Sequence, residues 1–368
     1  MKIVLGVCGF GLGHSVRERP ILEGLLARGH DVLLITNDQS HDFFTRHFPQ
    51  VPNVRVYVPV IHTTPSGLDF RATAEDPRNA HGEAHSAFWN AGGEVERLFG
   101  RPDLVISDYD MVSAQIAYLF GAPLVTLDQQ SKFLGYECPT FDDYTPDEHR
   151  MRLGYFFPTA TARVATSFFT VDYPPVRQYP VTIIPPILGN DVRGLLPDPV
   201  AGSVTVYLSA ASHVRQTAAE LLELFAEFGE HRFTCFLPDE PERVPSNVTV
   251  RSSNRGDFVE SLRRSDAVIA TAGHNLITEA LYLNVPMLLL PFDHYEQQLN
   301  ARVVGDAGVG RAVSRLTTAS LGGFLDDLEG FRRRRSEAVR IQDRFDGETV
   351  FLDLVETLLS GGAQRERE

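Results

Sequence analysis

The chain opens with a strand, a glycine-rich loop and a helix, and this order constrains its fold more than any other feature. Residues Lys2 to Val7 form an apolar run, as expected of a strand that is buried on both faces. A loop with glycines at positions 9, 11 and 13 follows, then a helical pattern, and then a second apolar run at Val32 to Thr36. A βαβ opening of this kind implies a parallel sheet covered by helices.

The same alternation of strands and helices begins again after a proline-rich stretch in the middle of the chain. We predict strands at 204–208, 233–237, 248–251, 267–270 and 287–291, and helices at 218–228, 258–264, 275–283 and 297–307. The linker is placed at about 185–200. The sequence thus predicts an α/β chain of two doubly wound, Rossmann-like domains, at 1–190 and 200–345, which face a central cleft. A final amphipathic helix at about 347–360 is expected to pack back on the first domain.

Two segments, at about 62–100 and 129–160, have a weaker pattern. They are rich in histidine, proline, glycine and aromatic residues. Long irregular segments inside α/β domains are often binding loops, and both segments are predicted to be such loops on the acceptor side.

Composition excludes several classes of protein. The 368 residues carry a net charge of -14, which argues against a broad nucleic-acid surface. No apolar stretch is long enough to span a bilayer, and the first apolar run ends at Gly9 without a cleavage site for a signal peptide. Cys8, Cys138 and Cys235 are far apart, which suggests neither a zinc site nor a disulfide framework and fits a cytoplasmic location.

The first glycine loop places His14 at the start of a helix. The dinucleotide fingerprint GxGxxG would require glycine at this position, so a nicotinamide-binding site is disfavoured. The helix dipole disfavours an imidazolium, which leaves the His14 ring available as a base. The alternative is a histidine that only caps the helix or packs against the loop, and position alone does not separate the two.

Asp108 and Asp110 directly follow the strand predicted at 103–107. Either carboxylate could hydrogen-bond His14 and fix its tautomer, and the sequence does not say which. A turn or an N-cap is the structural alternative. The pair also has the spacing DxD, a pattern that binds a metal–diphosphate group in some enzymes. A three-residue pattern is a weak signal, and no metal site is predicted.

The second half carries a candidate site for an anionic ligand at the start of the helix predicted at 275–283. Backbone N–H groups near Gly273, His274 and Asn275 could bind a diphosphate. Glu279 lies one turn further along, where its carboxylate could accept hydrogen bonds from ribose hydroxyls.

Two further segments could complete that site. Glu296 and Gln297 open the next helix and could bind sugar hydroxyls, and the hydroxyls of Ser209 and Ser212 suit a phosphate. Taken singly, each of these side chains has an ordinary explanation as a cap or a surface residue.

In this order, the segment from Thr271 to Ala301 resembles the donor-binding signature of GT-B glycosyltransferases. The matching residues are Gly273, Glu279, Val285, Pro286, Pro291, Gln297, Asn300 and Ala301. Glu296 stands in place of the usual aspartate, Asn284 in place of the usual glycine, and His274 where plant-type members have tryptophan. The loop Gly11–His14 and the position of Asp108 also match, and the pattern is most similar to the branch related to the peptidoglycan N-acetylglucosaminyltransferase and to families 1 and 28.

The resemblance implies an inverting, metal-independent glycosyltransferase without a cofactor. It would move a hexose-type sugar from a nucleotide donor, preferably UDP-linked, to a small-molecule or lipid-linked acceptor. His14 and Asp108 would be catalytic, and the donor would be bound by residues from both halves, namely Gly11, Gly13, Ser209, Ser212, Gly273, His274, Asn275, Glu279, Glu296 and Gln297. The alternatives are an isomerase similar to UDP-N-acetylglucosamine 2-epimerase, a nicotinamide oxidoreductase and a non-catalytic nucleotide-sugar-binding module.

Overall fold

Two compact units make up the chain in the computed structural model, which describes residues 1–64, 67–79, 83–208, 216–237, 241–252 and 254–365. The first unit comprises Met1–Ser167, Val171–Gly189 and the chain from Asp346 onward. The second comprises Phe168–Thr170 and Asn190–Phe345. The first unit is therefore discontinuous in sequence.

A parallel sheet forms the centre of the first unit. Its strands, among the described residues, are β1 (Lys2–Val7), β2 (Asp31–Thr36), β3 (Asn53–Arg55), β6 (Leu104–Asp108), β7 (Leu124–Asp128), β8 (Ala162–Thr166) and β9 (Thr182–Ile184). They lie in the order β3-β2-β1-β6-β7-β8-β9. A small antiparallel pair, β4 (Thr63–Thr64) and β5 (Gly67–Leu68), lies outside this sheet. Because β1 pairs with β2 on one side and with β6 on the other, the loops after β1 and β6 emerge side by side.

The helices of the first unit surround its sheet. They are α1 (Leu12–Ala27), α2 (Asp38–His47), α3 (Phe70–Glu75), α4 (Glu83–Leu98), α5 (Met111–Phe120), α6 (Ser131–Gly135) and α7 (Asp147–Phe156), with a 3-10 turn at Pro77–Asn79. The prediction of irregular loops at 62–100 and 129–160 is wrong over α3, α4, α6 and α7. In α7 the buried positions include the polar Glu148 and His149, so the helix lacks the apolar stripe by which a sequence reveals one.

The second unit repeats the parallel architecture. Its strands are β10 (Ser203–Tyr207), β11 (Arg232–Phe236), β12 (Val248–Arg251), β13 (Ala267–Ala270), β14 (Met287–Leu289) and β15 (Gly310–Ala312), in the order β12-β11-β10-β13-β14-β15. Its helices are α8 (Ala218–Ala226), α9 (Arg255–Arg263), α10 (His274–Tyr282), α11 (Tyr295–Asp306), α12 (Thr318–Leu325) and α13 (Leu328–Glu337).

The final helix, α14 (Gly347–Arg365), belongs to the first unit and completes its core. Phe351, Leu352 and Val355 are buried in one cluster with Ile21 and Leu25 of α1. Burial of each such side chain stabilises the unit by about 1.5–3 kcal/mol. Within the described residues, no helix combines the length and the apolarity that a membrane span requires.

Candidate active site

The loop between β1 and α1 has a shape that only glycine allows. Gly11, the N-cap of α1, has φ 78° and ψ 165°, a region that is essentially closed to other residues. Gly9 donates its N–H to the side-chain oxygen of Asn37 at 3.1 Å, and a Cβ atom on Gly9 would lie 2.1 Å from the Asn37 carbonyl oxygen. The loop is thereby fixed, and it presents the first turn of α1, with Gly13 and His14, at the carboxyl edge of the sheet.

His14 and Asp108 lie together at this edge. Nδ1 of His14 is 2.9 Å from Oδ2 of Asp108 and 3.0 Å from Oδ1. Asp108 is fully buried, whereas the His14 side chain retains some exposure. A carboxylate only accepts hydrogen bonds, so Nδ1 carries the proton and Nε2 carries the lone pair. The geometry is that of a base whose tautomer is fixed by an acidic partner.

Arg17, one turn after His14 on α1, is a member of this cluster that the sequence analysis did not identify. Its Nη2 donates to Oδ1 of Asp108, and its Nε lies 3.3 Å from Oε1 of Glu18. Nη2 also lies 3.1 Å from Nδ1 of His14, but Nδ1 already donates to Asp108, so this is a close approach of two donors. The i+3 spacing from His14 was the available signal, because such residues share one helix face.

The acidic groups around Arg17 differ in ionisation. Burial acts to raise the pKa of Asp108, but the charges of Arg17 and His14 outweigh it and hold that pKa below its ordinary value. Burial, followed by repulsion from Asp108, raises the pKa of Glu18 well above its ordinary value. Asp108 is therefore the ionised member of the cluster, and Glu18 retains its proton more readily.

Asp110 has a different role from Asp108. Its carboxylate accepts a hydrogen bond from the Ser113 backbone N–H at 2.7 Å and caps α5. Asp128 at the end of β7 binds Ser131 in the same manner. Burial raises the pKa of both carboxyl groups to about 6. The structure thus brings Asp108, and not Asp110, to His14, and the two carboxylates of the DxD pattern have separate partners.

A series of aromatic rings extends from His14 to the surface of the first unit. The Tyr109 ring lies 6.2 Å from His14 and 5.5 Å from Phe156, between centroids. Tyr155 follows at 6.2 Å from Phe156, and Phe70 at 6.1 Å from Tyr155. Tyr155 and Phe70 are 52% and 57% exposed. Tyr109 has a positive φ of 51°, a strained conformation of the kind that concentrates at functional sites.

In the second unit, α10 begins directly after Gly273, and no side chain caps it. The positive end of the helix dipole lies at this N-terminus and favours an anionic ligand. A Cβ atom on Gly273 would meet only Nε2 of Gln297, at 4.0 Å, so the space beside this turn is open. Oε1 of Gln297 has no hydrogen-bond partner among the described residues. Asn300 is buried, and its amide donates to the Ala272 carbonyl at 3.0 Å, which holds α11 against the turn.

Glu279, the candidate ribose ligand, is paired with an arginine. Nη2 and Nη1 of Arg255 donate to its two carboxylate oxygens at 2.8 and 3.1 Å. The same guanidinium reaches Asp191, with Nε 2.7 Å from Oδ2. Glu279 itself is buried, and each of its oxygens keeps a second lone pair for a ligand. Arg255 is thus a second residue that the sequence analysis missed.

The remaining predicted donor ligands lie at the starts of α10 and α11. The His274 ring is buried 5.4 Å from the Phe168 ring, Asn275 is half-buried, and Glu296 is buried in the first turn of α11. Asn284, where the GT-B signature has glycine, adopts φ 54°, a left-handed conformation that asparagine tolerates. The predicted phosphate ligands Ser209 and Ser212 lie outside the described residues.

A sequence model for glycosyl transferase family 1 matches residues 1–329. The chain belongs to glycosyl transferase family 1. A relative from Methanosarcina acetivorans, an uncharacterized glycosyltransferase, is 31% identical over 398 residues, which covers 97% of this chain and 96% of the relative. This family 1 member is therefore an enzyme, a glycosyltransferase, as the motifs predicted.

Solved structures of other glycosyltransferases share the fold over nearly the whole chain. VinC in complex with dTDP has a TM-score of 0.65 at 16% identity and covers 98% of this chain and 100% of its own. LpCGTa in complex with UDP has a TM-score of 0.66 at 17% identity, with 96% and 98% covered. MurG of Acinetobacter baumannii has a TM-score of 0.62 at 14% identity, with 97% and 99% covered. These similarities confirm the predicted α/β GT-B fold.

Proposed function

We propose that this family 1 glycosyltransferase is an inverting, metal-independent enzyme. It transfers a hexose-type sugar from a nucleoside diphosphate donor to a hydroxyl or amine of its acceptor. The observation that carries the proposal is the hydrogen bond from Nδ1 of His14 to the buried Asp108 carboxylate, at 2.9 Å. This bond leaves Nε2 as an oriented proton acceptor on a side chain that is still partly exposed.

The proposed reaction is a single displacement. Nε2 of His14 takes the proton of the acceptor group as the acceptor atom forms a bond to the anomeric carbon. The bond from that carbon to the diphosphate oxygen breaks, and the nucleoside diphosphate leaves with the electron pair. Attack from the face opposite the leaving group inverts the anomeric centre. Asp108 stabilises the imidazolium that forms.

The proposed donor site lies in the second unit. The N-terminus of α10, at the positive end of its dipole, would stabilise the charge of the leaving diphosphate, and the open space beside Gly273 would admit it. Glu279 would bind the ribose, with Glu296 and Gln297 on the sugar. Ser209, Ser212 and the His14 loop remain predicted contributors. Two similar solved structures contain UDP and dTDP, and we propose UDP on the resemblance of the motifs.

The proposed acceptor is a small or lipid-linked molecule with an apolar face. The aromatic series from Tyr109 to the exposed Phe70 supports this choice, because exposed rings at the outer end of a series that begins at the candidate base can stack on an apolar acceptor. A cytoplasmic location is part of the proposal, since all three cysteines are free thiols, as is usual in a reducing compartment.

Calorimetric titration with UDP, dTDP, GDP and NAD, without added metal, tests the donor site. We expect one nucleoside diphosphate to bind and Glu279→Ala to weaken that binding. Turnover with the matching sugar nucleotide and a panel of apolar acceptors follows, with the anomeric configuration of the product read by NMR. Retention of configuration, or binding of NAD alone, would overturn the proposal.

Two controls separate the rival functions. NMR of the sugar nucleotide incubated with enzyme alone detects epimerisation at the sugar, which would indicate an isomerase. A protein that binds the donor but converts it with no acceptor of the panel, and does not hydrolyse it, would be a binding module.

A further inference from the structure

We propose that Arg17 is a positioning residue of the active site: by pairing with the Asp108 carboxylate, it holds that group ionised against Nδ1 of His14. This inference rests on the proposed function, since it gives Arg17 its effect through the proposed base. It assigns a role to a side chain that neither the glycine-loop motif nor the donor signature contains.

Geometry places the Arg17 guanidinium beside the hydrogen bond between His14 and Asp108. Its Nη2 contacts Oδ1 of Asp108 and lies 3.1 Å from Nδ1 of His14. The Arg17 side chain is 2% exposed and that of Asp108 is 0% exposed, so little water screens the pair. A buried guanidinium with this contact keeps the carboxylate charged and fixes its orientation, because its N–H groups are directional donors.

The surroundings make such a cation necessary. Facing the pair are Glu18 on α1, Asp110 after β6, Asp128 at the end of β7 and the Cys8 thiol after β1. Tyr109, beside Asp108, is electrically neutral at ordinary pH because burial raises its pKa further. Every acidic neighbour disfavours a second negative charge, and burial adds to this, so removal of Arg17 is expected to raise the pKa of the Asp108 carboxyl. A neutral Asp108 could no longer stabilise the imidazolium of His14.

The same helix provides a matched control. Arg19 lies two residues further on and forms a surface ion pair with Glu23, with Nε 2.9 Å from Oε1. Replacing Arg19 removes one positive charge from α1 without touching Asp108. A general effect of helix charge would appear in both variants, whereas the proposed effect appears only at position 17.

The test measures two properties of Arg17→Met, Arg17→Gln, Arg17→Lys and Arg19→Met. The first is the titration of the Asp108 carboxyl carbon by NMR of protein with 13C-labelled aspartate side chains, in which Asp108→Asn identifies the signal. The second is the acidic limb of the pH profile of kcat/KM for donor consumption. In Arg17→Met and Arg17→Gln, we expect both midpoints to move to higher pH by roughly one to three units.

Arg17→Lys keeps the charge and is expected to return both midpoints towards the wild-type values, while Arg19→Met leaves them unchanged. At pH 7 the neutral variants should lose roughly 10- to 100-fold in kcat/KM, since base catalysis contributes about 10²- to 10⁴-fold and only part of it is lost. If circular dichroism shows that Arg17→Met does not fold, the test rests on Arg17→Gln, which removes the charge but keeps hydrogen-bond donors at this position.

Unchanged midpoints in the folded neutral variants, or equal shifts in Arg17→Lys and Arg17→Gln, would overturn the inference. The carboxyl titration needs no substrate, so it separates this inference from the proposed function. A shifted titration in a protein without transferase turnover would leave the Arg17–Asp108 interaction standing and reject the role of His14 in glycosyl transfer.

Discussion

Each unit of this glycosyltransferase pairs an arginine with a buried carboxylate, but the two pairs differ in their access to solvent. Arg17 and Asp108 in the first unit are enclosed, whereas Arg255 in the second is 28% exposed and also binds Asp191, which is 32% exposed. An enclosed pair acts on its immediate neighbours through a weakly screened field. A partly open pair is screened by solvent and salt, and it can still offer lone pairs to a ligand. The enclosed pair is suited to influence the proposed base, His14, and the partly open pair is suited to bind a ligand.

The largest expected effect tests whether the enclosed pair serves catalysis. His14→Ala should lower kcat/KM by about 10²- to 10⁴-fold, because the proposed base is lost. The affinity for the nucleoside diphosphate, measured by calorimetry, should change little, because most of the proposed donor ligands lie in the second unit and the His14 side chain is not one of them. Near-normal turnover of the variant would show that His14 is not the base.

The two glycine turns should respond differently to alanine. Gly11→Ala should lower the free energy of unfolding by roughly 1–3 kcal/mol, because alanine is strained at φ 78° and ψ 165°. Gly273 has φ -72° and open space around it, so Gly273→Ala should leave stability almost unchanged and weaken only donor binding. Urea denaturation measures the first effect and calorimetry the second. If both variants lost the same free energy of unfolding, the predicted difference between the two glycine turns would be wrong.

The next prediction concerns the partly open pair of Arg255 and Glu279, from which a substitution removes the cation. Arg255→Met should weaken nucleoside diphosphate binding by roughly tenfold, because Glu279 loses the partner that orients it. The matched control is Arg263→Met on the same helix, since Arg263 pairs with Glu260 and Asp198. Donor titration of both variants at two salt concentrations is the measurement. If the Arg263 variant loses as much affinity as the Arg255 variant, Arg255 has no specific role.

The smallest effect on activity is expected from Glu18→Gln. The raised pKa of Glu18 favours its neutral form in the folded protein, so an isosteric amide should change kcat/KM by no more than about twofold. Asp108→Asn, which removes the ionised member, is the contrasting variant. A large loss in Glu18→Gln would show that Glu18 acts as a carboxylate.

Glu18 also predicts a pH dependence of stability. Its pKa in the folded chain lies above that in the unfolded chain, so the folded state binds the proton more tightly. Its stabilising contribution is complete below the unfolded pKa and declines as the pH rises towards the folded pKa. Glu18→Gln removes this decline, and the variant should gain stability relative to the wild type between acidic and neutral pH. Urea denaturation across this range is the check, and a constant difference would contradict it.

Much of the fold could be predicted from the sequence, because buried parallel strands are short apolar runs with glycine turns between them. Helix α4 was missed because Gly92 and Gly93 interrupt its pattern. The proximity of His14 and Asp108 followed from parallel topology, since both residues lie after adjacent strands.

The two arginines could not be predicted in the same way. Arginine is usually exposed, and the i+3 spacing that places Arg17 on the helix face of His14 does not show that this face is buried or that Arg17 pairs with Asp108. Arg255 lies 24 residues before Glu279, and only tertiary packing brings them together. The GT-B signature includes Glu279 at a fixed spacing and could therefore identify it, whereas Arg255 lies outside the signature.

The return of α14 to the first unit restricts how this enzyme can be recombined with its relatives. A truncation before Asp346 would uncover Ile21 and Leu25, so the first unit cannot be expressed as a simple N-terminal fragment. The proposed donor site would instead be exchanged as an internal cassette, residues 190–345, with α14 retained from the recipient. The cassette must also pack against the segment Phe168–Thr170, which belongs to the same unit. Two backbone hydrogen bonds join them: Thr170 N–H donates to the Arg340 carbonyl, and Gln342 N–H donates to the Phe168 carbonyl. We expect chimeras to fold when they retain α14 of the recipient and the backbone hydrogen bonds of Phe168–Thr170.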